Sequence, residues 1–206
     1  MSQLTLSDGR KLEYFENGVS SDSAILFLHG TPSDGTLWQP WLDEIKSVKA
    51  ISTSRAGYGL SDRHKGRTVA DDLADQAAVL DALGIKKFVV IGWSGGGPHS
   101  LNMTRDSRCA AAFTLAGVGE WNREDLDFLA GMGPENHEEF GEALKGERAI
   151  EEWMKVNQKV SAKEQSENLT SYYPMLKLLG DGSYNQYYCV DSERIITNYI
   201  NLMDSQ

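Results

Sequence analysis

The amino-acid sequence predicts an α/β fold: a mostly parallel sheet opened by an antiparallel hairpin and followed by a helical lobe. Three observations lead there. Short apolar runs at residues 24–28 and 88–91, and a strand over 49–54, alternate with stretches of helical spacing, the rhythm of parallel strands joined by crossover helices. The last of these runs breaks through Gly92-Trp93-Ser94-Gly95-Gly96-Gly97 directly into a helix. From Glu120 onward the alternation stops, and segments with acidic faces and apolar stripes read as helices.

Taken in order, residues 4–6 and 11–15 flank Ser7-Asp8-Gly9-Arg10, and Asp-Gly between such runs signals a hairpin. Residues 24–28, Ala-Ile-Leu-Phe-Leu, form a buried strand that stops at His29-Gly30-Thr31-Pro32. Leu37, Trp38, Trp41, Leu42 and Ile45 recur at helical spacing, so a helix over 36–47 is expected to pack on the sheet. A strand over 49–54 leads into Arg55-Ala56-Gly57-Tyr58-Gly59-Leu60-Ser61-Asp62, a loop of turn residues. Thr68 then reads as an N-cap, with Asp71 three residues on as a variant capping box. Val69, Leu73, Leu80 and Leu83 line one face of the helix that follows, and Gly84 ends it. After the strand at 88–91 and its helix, residues 109–115 form a further strand. Helices are expected over 124–132, 138–144 and 149–160, and a last one over 193–202. Trp153, Val156 and Val160 are expected in the core of this lobe.

A chain of 206 residues, 40% of them hydrophobic, can bury one sizeable core and a small appended lobe. The boundaries expected are a core over 1–119 and the lobe over 120–206. A formal charge of -10 argues against nucleic acid or an anionic membrane as a partner, since both are polyanions. The two cysteines, Cys109 and Cys189, have neither a metal-ligand nor a redox-motif spacing, which suits a reducing compartment. The N-terminus lacks the apolar segment of a signal peptide and no run is long enough to span a membrane, so the expected location is the cytoplasm.

The chemistry sits at residues 88–100. Phe88, Val89, Val90 and Ile91 suit a strand covered on both faces, and the turn after it must be sharp. Gly92, Ser94 and Gly95 satisfy the G-x-S-x-G pattern, and Gly96 is read as letting strand and helix approach closely. Such a turn lifts the Ser94 hydroxyl above the strand end and leaves the Gly95 N–H free to face what the serine attacks. Ser94 therefore reads as a nucleophile and Gly95 as one oxyanion donor. No phosphate-binding G-x-x-x-x-G-K-[ST] is present, and a dinucleotide reading fails because Trp93 and Ser94 separate the first two glycines.

His29-Gly30-Thr31-Pro32, the loop from Arg55 to Asp62 and Gly92-Trp93-Ser94-Gly95-Gly96, in that order, resemble the α/β-hydrolase superfamily over residues 1 to 120. Ala56 stands where that family usually has a proline. The resemblance implies strand order 1-2-4-3-5-6, a second oxyanion donor at the Thr31 N–H, and a helical lid over the active site from Glu120 onward. It implies hydrolysis of a small apolar carboxylic ester through an acyl-Ser94 intermediate with no cofactor. Serine at the elbow sets aside the branches with an aspartate nucleophile, the haloalkane dehalogenases and epoxide hydrolases.

In that family an acid and a histidine beyond the lid complete the triad with the serine. No seventh or eighth strand is found in this sequence, which reads as a hydrolase without its last two strands. Four histidines are available as a base. By resemblance His29 belongs structurally to the oxyanion turn. His99 lies five residues beyond Ser94 and should leave its helix on a different face, as a core or groove histidine. His64 is expected in a solvated loop and His137 on the lobe surface. The base is left open between His64, His99 and a partner chain; Glu120 and Asp125 are the candidate acids. The alternative is a non-catalytic homologue that binds a small apolar molecule, or a remnant. An uncovered sixth strand would favour a homodimer along that edge.

Overall fold

The computed structural model describes residues 1–146 and 148–156. Its centre is a six-stranded sheet in the order β1-β2-β4-β3-β5-β6, the order expected by resemblance. The strands are β1 (Ser2–Thr5), β2 (Lys11–Glu16), β3 (Ser23–Leu28), β4 (Lys49–Thr53), β5 (Lys87–Trp93) and β6 (Cys109–Leu115). The first two form the hairpin, β2 pairs antiparallel with β4, and the pairs β3–β4, β3–β5 and β5–β6 are parallel.

Side chains alternate between two apolar layers, as the pleat requires. Leu26, Leu28, Ile51, Phe88 and Val90 face one cluster together with Val79 and Leu80 of α2 (Asp72–Ala82). Phe27, Ala50 and the partly buried Ile25, Ile91 and Trp93 face the other, with Trp38 and Leu42. Both faces are thus covered, which is why β3 and β5 read as nearly unbroken apolar runs, while β4 buries Ser52 and Thr53 among them. Leu28 pairs with both Thr53 and Gly92, and Gly92 with Thr114. The chain therefore leaves β3, β4, β5 and β6 along one edge, and the turns at His29, Arg55, Ser94 and Ala116 meet there.

Several elements depart from the sequence expectation. The helix expected over 36–47 is a 3-10 turn, Gly35–Trp38, followed by α1 (Gln39–Glu44). Pro40 cannot donate a hydrogen bond, so the first turn tightens into 3-10 form and is capped by the Asp34 carboxylate on the Thr36 N–H. The Thr68 cap is also displaced. Asp71 accepts from both the N–H and the hydroxyl of Thr68, at 2.7 Å each, and the helix begins only at Asp72. Val69 consequently packs on the lobe and not with Leu73 and Leu83.

α3 (Gly96–Asn102) follows β5, and α4 (Pro134–Ala143) and a helical segment over 148–156 follow β6. The helix expected over 124–132 is absent. Four-residue turns replace it, with Leu126, Ala130 and Met132 each donating to the carbonyl three residues back. The Asp127 carboxylate takes the Leu129 N–H, and such local side-chain acceptors compete with a helical ladder. Phe128, Phe140, Ile150 and Met154 form the lobe's own apolar cluster, joined to the core through the fully buried Tyr58. Trp153 packs against it, but Val156 is 61% exposed. Val160 and the helix expected over 193–202 lie outside the described residues.

Candidate active site

The site starts from strain in one residue. Ser94 follows β5 with φ 50, in the left-handed region that a non-glycine residue adopts only when its surroundings hold it there. Two backbone bonds do so: its N–H donates to Leu115 and its carbonyl accepts from Gly97, both at 2.9 Å. The turn demands glycines for specific reasons. A Cβ on Gly92 would stand 2.1 Å from the Gly96 carbonyl oxygen, and one on Gly96 would stand 2.5 Å from that of Leu28. Gly92 is thus what lets strand and helix close up, the role expected of Gly96. Gly96 instead lets α3 press onto the end of β3.

The same packing gathers the three residues assigned from sequence. A Cβ on Gly30 would lie 3.2 Å from the Ser94 Cβ, and one on Gly95 would lie 3.3 Å from the Thr31 nitrogen. Ser94, Thr31 and Gly95 therefore adjoin one another where the strands end. Among the described residues no acceptor takes the N–H of Thr31 or Gly95. The Thr31–Pro32 peptide is cis.

Behind the oxyanion turn lies a buried polar cluster. Arg55, 1% exposed, donates from its guanidinium to the carbonyls of His29 and of Gly30, the latter at 3.2 Å. Its backbone N–H donates to His29 Nε2 at 3.1 Å. That bond leaves the proton of His29 on Nδ1, which donates to the Gly30 carbonyl at 2.6 Å. The ring is neutral: burial, and then the Arg55 charge, hold its pKa well below the ordinary value. Tyr58 stacks edge-on to His29, lies under the Arg55 guanidinium, and brings its hydroxyl to 3.0 Å from Thr31 Oγ1.

His99 is buried, as a core histidine, with Nδ1 2.8 Å from the buried Asp72 carboxylate of α2. Burial pushes its pKa down to about 4 against the attraction of Asp72. Burial alone would raise Asp72, but His99, Arg67 and Arg55 outweigh it and hold the carboxyl below the usual carboxylate range. The neighbouring charges of His64 are Asp8 and Asp71, which places it by the β1–β2 turn, and His137 is exposed on α4. Glu120 and Asp125 both pair with Arg123 on the surface. No described histidine and acid combine with Ser94 into a triad.

Sequence reasoning missed Arg55, Tyr58 and Asp72. A signal for Asp72 existed: Asp72 and Gln76 occupy the same helical face as Val79 and Leu80, so polar residues stand at core positions of α2. Nothing comparable marks Arg55, whose burial depends on the turn after β3.

Residues 23–194 match the sequence model of a family described as alpha/beta hydrolase fold. A non-heme chloroperoxidase from Streptomyces lividans is 30% identical over 155 residues, 72% of this chain and 56% of that one. A 3-oxoadipate enol-lactonase from Acinetobacter baylyi is 32% identical over 99 residues, 48% of this chain and 37% of that one. An epoxide hydrolase from Caballeronia sordidicola is 31% identical over 117 residues, 53% of this chain and 35% of that one. The chain thus spans between about a third and just over half of these relatives. Among solved structures, the epoxide hydrolase CorEH superposes with a TM-score of 0.73 at 18% identity, covering 99% of this chain and 74% of that one. The enol-lactonase from Burkholderia xenovorans LB400 superposes at 0.67 and 16% identity, covering 98% and 73%. These superpositions speak for the fold alone. With a six-stranded sheet in this order, a strained serine between β5 and α3, and a family match over most of its length, the chain belongs to the α/β-hydrolase family.

Proposed function

We propose that this chain cleaves small apolar carboxylic esters, with Ser94 as nucleophile and the Thr31 and Gly95 N–H groups as oxyanion donors. The observation that carries the reading is the convergence of a strained Ser94 with two N–H groups that no described acceptor takes. Ser94 Oγ forms a bond to the ester carbonyl carbon, and the carbonyl electron pair moves onto oxygen between the two donors. Collapse expels the alcohol and leaves acyl-Ser94, which water then hydrolyses to the acid. A relative named for lactonase activity supports an ester substrate. In this reading the lobe that begins at Glu120 serves as a lid over an apolar pocket, and the two widely spaced cysteines favour the cytoplasm as the location.

The serine proton needs an acceptor, and the four histidines of the chain all lie at or before residue 137. Because losing the base costs a triad enzyme on the order of 10⁶ in turnover, a slow reaction is expected unless His64, His99 released from Asp72, or a partner chain supplies the group. The engagement of His29 and His99 in buried bonds favours a second reading, a module that binds an apolar molecule without cleaving it. A fluorophosphonate probe separates the two. Covalent labelling of the wild-type chain and none of Ser94→Ala is expected. Folded wild-type protein that stays unlabelled would leave the binding module.

A further inference from the structure

The Gly30–Thr31 peptide has two ends with opposite surroundings. Its carbonyl oxygen accepts three donors: His29 Nδ1 at 2.6 Å, Ser33 Oγ at 3.1 Å and Arg55 Nη2 at 3.2 Å. All three residues are buried, at 0%, 2% and 1% exposure. Its N–H, which belongs to Thr31, meets no acceptor among the described residues and lies beside Ser94 and Gly95.

We infer that Arg55, with His29 and Ser33, is a positioning residue that aims and polarises the Thr31 N–H as an oxyanion donor. The aiming is geometric. In a trans peptide the C=O and N–H point in opposite directions, so an oxygen pinned in the interior turns the N–H outward toward Ser94. Arg55 holds the preceding carbonyl, of His29, with the same guanidinium, which removes the rotation that would let the peptide flip. The polarisation is electronic. Donors on the oxygen, one of them charged, draw electron density from the amide nitrogen and make its N–H a stronger donor, by about 10–30% per bond. Because Arg55 and His29 are buried, water does not screen the effect.

The catalytic part of this inference rests on the serine-hydrolase reading; the state of the peptide does not. The test therefore has two readouts on the full chain, in wild type, Ser33→Ala and Arg55→Lys. The first is the amide signal of Thr31 in a ¹H–¹⁵N correlation spectrum. Upfield movement of its proton is expected in both variants, larger for Arg55→Lys, with the amides of β1 unmoved. The second is the rate of fluorophosphonate labelling at Ser94, expected to fall about tenfold in Arg55→Lys, part of the hundredfold or more that loss of an oxyanion donor costs. If wild type does not label, the ester reading fails and the Thr31 signal still decides the inference. If Arg55→Lys does not fold, Ser33→Ala decides, because it removes one donor and strands no buried charge. A Thr31 proton unmoved in folded Ser33→Ala overturns the inference.

Discussion

The buried histidines tie single residues to the pH dependence of the molecule. His99 has its pKa pushed down to about 4 by burial, with Asp72 opposing, and His29 is lowered for the same first reason. Between the unfolded histidine value of about 6.5 and the folded one, the unfolded chain binds protons that the folded chain does not. Stability is therefore full above about pH 6.5 and falls on acidification toward pH 4, by about 3 kcal/mol for His99. Asp72 adds a loss of the same sign below the ordinary carboxylate range, because its folded pKa is lowered too. Urea titrations from pH 7.5 to pH 4 should show the decline, and His99→Gln should make it shallower by about one proton. An unchanged slope in that variant would remove His99 from the account.

At the scale of elements, polar contacts add to apolar packing in fixing the helices on the sheet. Thr53 at the end of β4 donates to Gln76 of α2 at 2.8 Å, and Gln76 donates to Asp72 at 3.2 Å. Asp72 in turn meets His99 of α3, and Asn102 of α3 donates to the Val69 carbonyl at 2.8 Å. β4, α2 and α3 are thus linked behind the site. The lobe depends on aromatic packing: Phe128 meets Trp121 and Phe140 edge-on, with ring centres 5.1 and 5.0 Å away. Phe140→Ala should cost the lobe about 3 kcal/mol. The amides of α4 should then exchange with solvent markedly faster while those of β3 and β5 do not. Uniform acceleration across the sheet would show instead that lobe and core unfold as one unit.

For the whole molecule, the edge formed by β6 dominates. Phe113 is 53% exposed, Leu115 46% and, on the neighbouring α3, Leu101 57%. Among the described residues no strand lies beyond β6. We propose that this edge pairs with a second copy, since an identical strand can match its N–H and C=O groups by two-fold symmetry. The net charge of -10 opposes that association. The expected outcome in light scattering is a concentration-dependent shift from monomer to dimer, stronger at 0.5 M salt, where repulsion is screened over a few ångströms. A monomer at every concentration and salt would exclude the edge as a self-association surface. No described helix is long and apolar enough to cross a membrane.

What the sequence determined by itself is what depends on neighbours along the chain. Apolar runs two-sidedly buried in the sheet, the Asp-Gly hairpin, and glycines flanking Ser94 are local statements, because strand burial and turn sterics act over a few residues. The strand order was legible only through the family resemblance. Local competition also marks where the reading failed. Pro40 shortened a helix, and the Asp127 carboxylate helped replace one by turns, against apolar spacing that favoured both. Only the tertiary structure decided that Arg55 lies behind the Gly30 carbonyl, that Asp72 meets His99 across 27 positions of sequence, and that Tyr58 joins lobe to core. Those pairings depend on which strand ends the sheet brings side by side. Burial there turns ordinary polar side chains into parts of the site, because interior charges and donors must find partners where water is absent.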